Sequence, residues 1–352
     1  MIPIDIWRVI FDLLNFTSQI RLRSACHDLR KYLIITDLFN VKPKYLDKLK
    51  DAVLQQPNFS QITKLSIEEN GYISSVSHLT KLSTLGVSNN FRFIDVSSMK
   101  YLQILHANGN CGIGQKGIQG LNLVELYAES NKEIFDVSHM KSLKILDANN
   151  SGITQKGIDQ LDLIKLNAAH NPKIQNVSFM KNLRILMAYG QSGINQNGIN
   201  GLNLLELHVG FNRFITDIKS MTSLQILGAS NSIICQYSIS SLNLVKLFAD
   251  YNFHITNVNH MTKLQVLHAR GECGIGQSGI NKINLLELDA FNNDRIVDVS
   301  FMSNLRILKA SGRCGIGQRG ISNLNLLELD ADHNSKIVDV NHLTMLTRLI
   351  AK

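Results

Sequence analysis

Fifteen times between Ile62 and Lys352 an apolar residue, nearly always Leu, opens a pattern of the form Leu-x-x-Leu-x-apolar in which the last position is most often Ala, and neighbouring copies start 20 or 21 residues apart. A pattern with so short a period cannot bury its own apolar side, so each copy must stack on the next. The stretch Leu102–Asn131 holds two copies, Leu102/Leu105/Ala107 and Leu123/Leu126/Ala128. Alternation within each copy predicts one short strand per coil, with offsets 0, 3 and 5 facing in and offsets 2, 4 and 6 facing out. Parallel strands then form a sheet along one side, which is expected to be concave.

Two kinds of coil alternate along most of the array. One turns at an Asn that recurs at Asn70, Asn90, Asn131, Asn171, Asn212, Asn252, Asn293 and Asn334. Its amide is placed to pair backbone groups that stacking would bury. A Ser-x-Met-x-x-Leu run is expected to make a short helical turn behind it. The other kind carries a Gly-Ile preceded by Cys or Ser, then a turn such as Gln115-Lys-Gly-Ile118.

Residues 2–40 do not repeat. Ile6, Ile10, Phe11 and Leu14 fall at helical spacing, and a second apolar set runs from Ile20 to Leu33. Thr17 and Ser18 read as the turn and N-cap between them. Residues 43–56 read as one more amphipathic helix, stopped by Pro57. The expected division is therefore 1–40, a helical segment; 41–61, a capping helix and linker; and 62–352, the solenoid.

Composition narrows the function. Apolar residues make up 44 % and charged residues 18 %, so the chain is globular. The formal charge of +8 is not gathered into a Lys/Arg block, which argues against a nucleic-acid arm. Asp5, Arg8 and Asp12 interrupt the N-terminal apolar run, so it reads as neither signal sequence nor membrane span. Five Cys without paired spacing read as reduced thiols of an intracellular, cytoplasmic protein.

The repeats resemble those of leucine-rich-repeat proteins over residues 62–352. The Asn coil is similar to the internalin-like pattern, and the coil of Cys111-Gly-Ile113 to shortened cysteine-containing repeats found with F-boxes. The N-terminus resembles an F-box. Ile2-Pro3 matches its opening Leu-Pro, Asp5-Ile6 its acidic-apolar pair, Ile10-Phe11-x-x-Leu14 its first-helix face, and Ala25-Cys26 its Val-Cys pair. Gln19 and Leu29 depart from the usual Asp and Trp. The combination looks similar to F-box repeat proteins of giant DNA viruses of amoebae, which would place the chain in the cytoplasm of a host cell.

The expected fold class is thus α/β, a leucine-rich-repeat solenoid of about fifteen coils behind a small helical F-box. The resemblance implies that Pro3, Ile6, Ile10, Phe11, Leu14 and Ile20 dock a Skp1-like adaptor of a cullin-based ubiquitin ligase. The solenoid would select the target protein, and the chain itself would carry no catalytic residue, cofactor or small-molecule substrate. The alternative is an interaction scaffold whose N-terminal helices only cap the first coil.

Target binding is expected on the outward strand positions Glu125, Tyr127, Tyr189, His208, Phe248, Asp250, Asp289, Phe291 and Asp330. Exposed aromatics among charges are what a recognition surface offers. Acids outnumber bases among these outward positions. Tyr189, Phe248 and Phe291 should fall within roughly 25 Å on the strand spacing.

Other candidates reduce to structure. His78, His139, His260 and His342 recur two or more coils apart, at least roughly 10 Å, too far to share a metal ion. Cys111, Cys273 and Cys314 alternate with Ser and read as small buried groups rather than nucleophiles. The glycines of CGIGQKG recur with the structural period and lack the Lys-Ser/Thr of a phosphate loop. The last coil, from Leu346, would present a sheet edge to be covered by end-to-end dimerisation or guarded by Arg348 and Lys352.

Overall fold

The computed structural model describes residues 4–41, 46, 50–56 and 59–351. It divides into two compact units, Met1–Leu161 and Asp162–Lys352.

The first unit opens with three short helices, α1 (Ile4–Asp12), α2 (Phe16–Ser24) and α3 (His27–Tyr32). The cap of α2 is Asn15, whose Oδ1 accepts from Ser18 N at 3.0 Å, rather than the expected Thr17 or Ser18. Strand β1 (Asp37–Leu38) then begins the sheet earlier than the repeat pattern does. It pairs in parallel with β2 (Lys64–Ser66), Leu38 opposite Leu65. Of the helix expected over 43–56, α4 (Asp51–Leu54) is present; Tyr45 and Leu49 lie outside the described residues. The unit continues through β3 (Thr84–Gly86), β4 (Ile104–His106), β5 (Glu125–Tyr127) and β6 (Ile145–Asp147), each parallel to the one before.

The second unit is built from β7 (Lys165–Asn167), β8 (Ile185–Met187), β9 (Glu206–His208), β10 (Ile226–Gly228), β11 (Lys246–Phe248), β12 (Val266–His268), β13 (Glu287–Asp289), β14 (Ile307–Lys309), β15 (Glu328–Asp330) and β16 (Arg348–Ile350). Every neighbouring pair is parallel and in one register. The central Leu of each strand therefore faces its counterpart, from Leu166 to Leu349. Each one up to Leu329 is buried. All fifteen strands expected from the Leu period form, at offsets 2 to 4. This is a leucine-rich-repeat solenoid.

The returns behind the strands are short. Behind the Asn coils stand consecutive turns rather than helices, as in Met140 N to Val137 O and Leu143 N to Met140 O, both 3.0 Å. The other coils turn through 3-10 segments such as Gln115–Ile118, through α5 (Gln236–Ile239) or, over residues 156–160, through plain turns. Twenty residues leave no room for a longer helix once strand and two corners are made.

Two amides lock coil to coil. Asn131 Nδ2 donates backward to Ala107 O (2.9 Å) and Ile113 O (3.1 Å), while its Oδ1 accepts from Glu133 N (3.0 Å) and Ile134 N (3.3 Å). The same four bonds recur at Asn212 and Asn252. Gln115 works forward: Nε2 donates to Asp136 O (2.7 Å) and Oε1 accepts from Phe135 N (3.0 Å) and Asp136 N (2.9 Å). Gln196, Gln236, Gln277 and Gln318 repeat that set. Each amide thereby satisfies backbone groups that the stack would otherwise leave unpaired.

Close stacking also explains the glycines and cysteines. A Cβ on Gly274 would lie 2.5 Å from Phe253 O of the preceding coil, and Gly274 N donates to Asn252 O at 2.8 Å. The Gly-Ile glycine is a point of backbone contact. Cys273 and Cys314 are fully buried, and burial pushes their thiols up to about 11. Where Ser232 stands in the same place, its Oγ donates to Ala229 O at 2.9 Å.

Replacing Asn212 by Ala orphans two carbonyls and two N–H groups. The unfolding free energy should fall by about 2–4 kcal/mol, whereas Thr222→Ala on the exposed back should change it by less than about 0.5 kcal/mol. Urea denaturation of the two variants makes the comparison.

Candidate interaction face

Most side chains at offsets 2 and 4 emerge from the sheet half-buried, because the strands are in register and adjacent rows support one another. In the first unit Phe39, His106 and Tyr127 form a ladder. Phe39 and His106 have ring centroids 5.0 Å apart, and His106 stacks on Tyr127 at 4.3 Å with 14° between planes. Gly86 lies under Phe39, since a Cβ there would come within 3.2 Å of its ring. Tyr127 Oη donates to Glu125 Oε2 at 2.8 Å. Burial, with the Glu125 carboxylate, pushes the Tyr127 phenol up to about 12. Burial lowers the His106 pKa, although Glu68 and Glu125 pull the other way.

In the second unit an aromatic row stands on offset 4. His208 stacks towards Phe248 at 6.2 Å over the bare position of Gly228, and Phe248 meets His268 edge-on at 4.7 Å. Tyr189 packs edge-on against His170 at 5.4 Å. His208 Nε2 lies 2.8 Å from Glu206 Oε1. Ile185, Met187 and Ile226 fill the same region of the face, and all three are half-buried.

From β12 onward the face is a charge network. Arg270 reaches Asp289 at 2.6 Å, and Lys309 reaches Asp289 at 3.4 Å and Glu287 at 3.7 Å. His268 lies 3.4 Å from Glu287, and Arg348 lies 3.5 Å from Glu328. Arg270 N also donates to Asp250 Oδ1 at 3.0 Å. Asp289 is fully enclosed. Burial opposes its charge, but Arg270 and Lys309 prevail and hold its carboxyl below the usual range.

The outward positions anticipated from sequence divide accordingly. Glu125 and Tyr127 are brought together in the first unit. In the second, His208 and Phe248 join one aromatic row, and Tyr189, Asp250, Phe291 and Asp330 reach the surface. Asp289 does not, because its two cations close over it. The excess of acid read along these positions is largely offset by Arg270, Lys309 and Arg348, which sequence reasoning passed over. Their signal was positional: all occupy offsets 2, 4 or 6.

At the N-terminus, Phe11 is 2 % exposed and belongs to the packing of the helices. Leu14 is half-buried, and Ile6, Ile10 and Ile20 are exposed. Pro3 lies outside the described residues. The outward stripe of the first helix and the turn that ends it is Ile6, Val9, Ile10 and Leu13, with Val9 63 % and Leu13 83 % exposed. The back histidines bond carbonyls of neighbouring coils, His260 Nε2 to Ile239 O at 3.1 Å and His342 Nε2 to Ile321 O at 3.0 Å. Among the described residues no group of three or more His, Cys, Asp or Glu could hold a metal ion. No helix among them is long and apolar enough to cross a membrane.

No protein-family model and no curated protein sequence matches the chain. Among solved structures it is similar to an internalin of Listeria monocytogenes, with 20% identity, 86% of this chain and 94% of that one covered, and a TM-score of 0.48. It is also similar to a leucine-rich-repeat protein of Leptospira interrogans, with 16% identity, coverages of 96% and 87%, and a TM-score of 0.49. A third likeness is to the yeast Rad7 and Elc1 complex, at 14% identity, coverages of 87% and 85%, and a TM-score of 0.46. The architecture stands on the strand register rather than on these likenesses.

Two measurements check the electrostatics. The His106 ring should titrate below its ordinary 6.5 when followed by NMR; a midpoint at or above that value would contradict the buried stack. Native protein should lose Cys26 and Cys235 to a thiol reagent at neutral pH, while Cys111, Cys273 and Cys314 react only after unfolding.

Proposed function

We propose that this chain is a non-catalytic recognition protein that joins a Skp1-like adaptor to a target protein, as the substrate receptor of a cullin-based ubiquitin ligase. The stripe Ile6, Val9, Ile10 and Leu13 carries the reading. It has the i, i+3, i+4, i+7 spacing of a helix that docks in an apolar groove. Leaving four large apolar side chains in water is unfavourable unless a partner covers them. The helical order before the repeats is what the F-box resemblance implies. The aromatic row around Phe248 supplies the second half of the proposal, a face for the target. The chain would act in the cytoplasm, where its five thiols stay reduced.

A plain interaction scaffold is the second reading. Its support is β1, which ties the N-terminal segment into the first coil's sheet and fits a cap as well as a docking module.

The test is the double variant Val9→Asp, Leu13→Asp, chosen because both side chains are exposed and the fold should tolerate them. Binding to a purified Skp1-like adaptor should weaken by more than about tenfold, as expected when two apolar anchors are withdrawn from a groove. Thermal stability should stay within about 2 °C, as expected for exposed positions. Equal binding by wild type and variant would reject adaptor docking and leave the cap.

A further inference from the structure

Asparagine stands directly before glycine four times, at Asn70-Gly71, Asn108-Gly109, Asn197-Gly198 and Asn200-Gly201. No side chain shields a glycine nitrogen, so a freely moving Asn-Gly pair lets that nitrogen attack the side-chain amide before it. At three of the pairs the fold stands in the way. Asn70 is buried, its Nδ2 donates to Leu46 O at 3.0 Å, and its Oδ1 accepts from Tyr72 N and Ile73 N. Asn108 Oδ1 accepts from Glu129 N at 2.9 Å, and Gly109 N donates to Glu129 O at 2.7 Å. Gly198 is buried, and its N donates to Asn195 O at 3.0 Å.

The fourth pair is open. Asn200, at φ −59° and ψ 132°, and Gly201, at φ +75°, are the middle residues of a type II turn. Leu202 N closes it by donating to Ile199 O at 3.1 Å. Both middle residues are exposed. Neither Gly201 N nor the Asn200 side-chain amide has a hydrogen-bond partner among the described residues. A Cβ built on Gly201 would meet only Lys181 Nζ, at 3.9 Å.

We infer that Asn200 is a site of spontaneous deamidation through a succinimide. Gly201 N loses its proton to hydroxide and attacks Asn200 Cγ. The new C–N bond closes a five-membered ring, the Cγ–Nδ2 bond breaks, and ammonia leaves with a proton from water. A second water opens the ring at either carbonyl, which leaves aspartate or isoaspartate. To bring the nitrogen to Cγ, the Asn200 ψ must leave 132°, and that rotation gives up one hydrogen bond, the one that closes the turn. The Lys181 ammonium beside the turn favours the anionic nitrogen.

The repeats supply internal controls, because Gln119, Asp159 and Asn281 also stand four residues after the glutamine of their coil. Asp159 shows that a carboxylate is accepted at this place. Gln119 precedes Gly120, at φ +80°, but its longer side chain closes a six-membered ring, which forms more slowly. Asn281 precedes Lys282, whose side chain hinders attack, and its Oδ1 accepts from Gln277 Nε2 at 2.9 Å. The back of the second unit thus gains negative charge as the molecule ages, with no enzyme involved.

The full chain is aged in mildly alkaline buffer, native and in urea, and each pair is followed by peptide mapping with mass spectrometry. In the native chain Asn200 should convert at least about tenfold faster than Asn70, Asn108 or Asn197, because its closure opens one turn and no packed structure. In urea the four should convert within about threefold of one another, since the fold no longer protects any of them. Gln119 and Asn281 should stay intact in the native chain. Asn200→Gln, which copies Gln119, should abolish the change at its own peptide and leave the other three pairs as they were. Electron-transfer fragmentation should find isoaspartate beside aspartate, the mark of a succinimide rather than direct hydrolysis. Conversion of all four pairs at one rate in the native chain, an unchanged Asn200 there, or aspartate alone would overturn the assignment. None of these outcomes bears on adaptor docking, which Val9→Asp, Leu13→Asp reads separately.

Discussion

The buried amide between coils is the interaction on which this structure depends. Stacking Leu on Leu supplies the driving force, but stacking also takes corner carbonyls and N–H groups out of water. Leaving even a few of these unpaired in each coil would cost about 1–3 kcal/mol apiece, enough across the array to cancel much of the gain from burial. Asn131 and its equivalents pair two carbonyls behind and two N–H groups at their own corner. Gln115 and its equivalents pair one carbonyl and two N–H groups of the coil ahead. A primary amide suits the task because it donates and accepts in the geometry of a peptide group.

Once those amides fix the register, the outward positions become straight rows, and function is written as substitutions along them. One row gives His208, Gly228, Phe248 and His268, where a missing side chain lets a ring lean over its neighbour. Further on it gives Asp289 and Lys309, with Arg270 from the next row closing the network. The same row thus changes from aromatic to ionic within one unit. The aromatic part leaves ring area half-exposed, while the ionic part is mostly satisfied internally.

Much of this was legible in the residues. The Leu period located all fifteen repeat strands, and the recurrent Asn marked its corners, because a rigid period allows little else. Four features were not legible, for separate reasons. Strand β1 is two residues long, and its pairing comes from the first coil rather than from its own pattern. The first helix has apolar residues on several sides, so spacing alone allowed Phe11 to face out when it packs inward and Val9 and Leu13 are exposed. Asp289 looks like any outward acid until Arg270, from the preceding coil, is seen to cover it. The Gln clamp was hidden because a polar residue in a turn ordinarily needs no partner beyond water.

On the proposed function, two binding tasks would fall to two separate parts of the chain, and hydrogen exchange tests that division most directly. Exchange of the full chain is compared with and without a saturating Skp1-like adaptor. Protection is expected over residues 4–14, with the strands of the second unit exchanging as they do in the free protein. Protection spread over those strands, or none in the first helix, would contradict it.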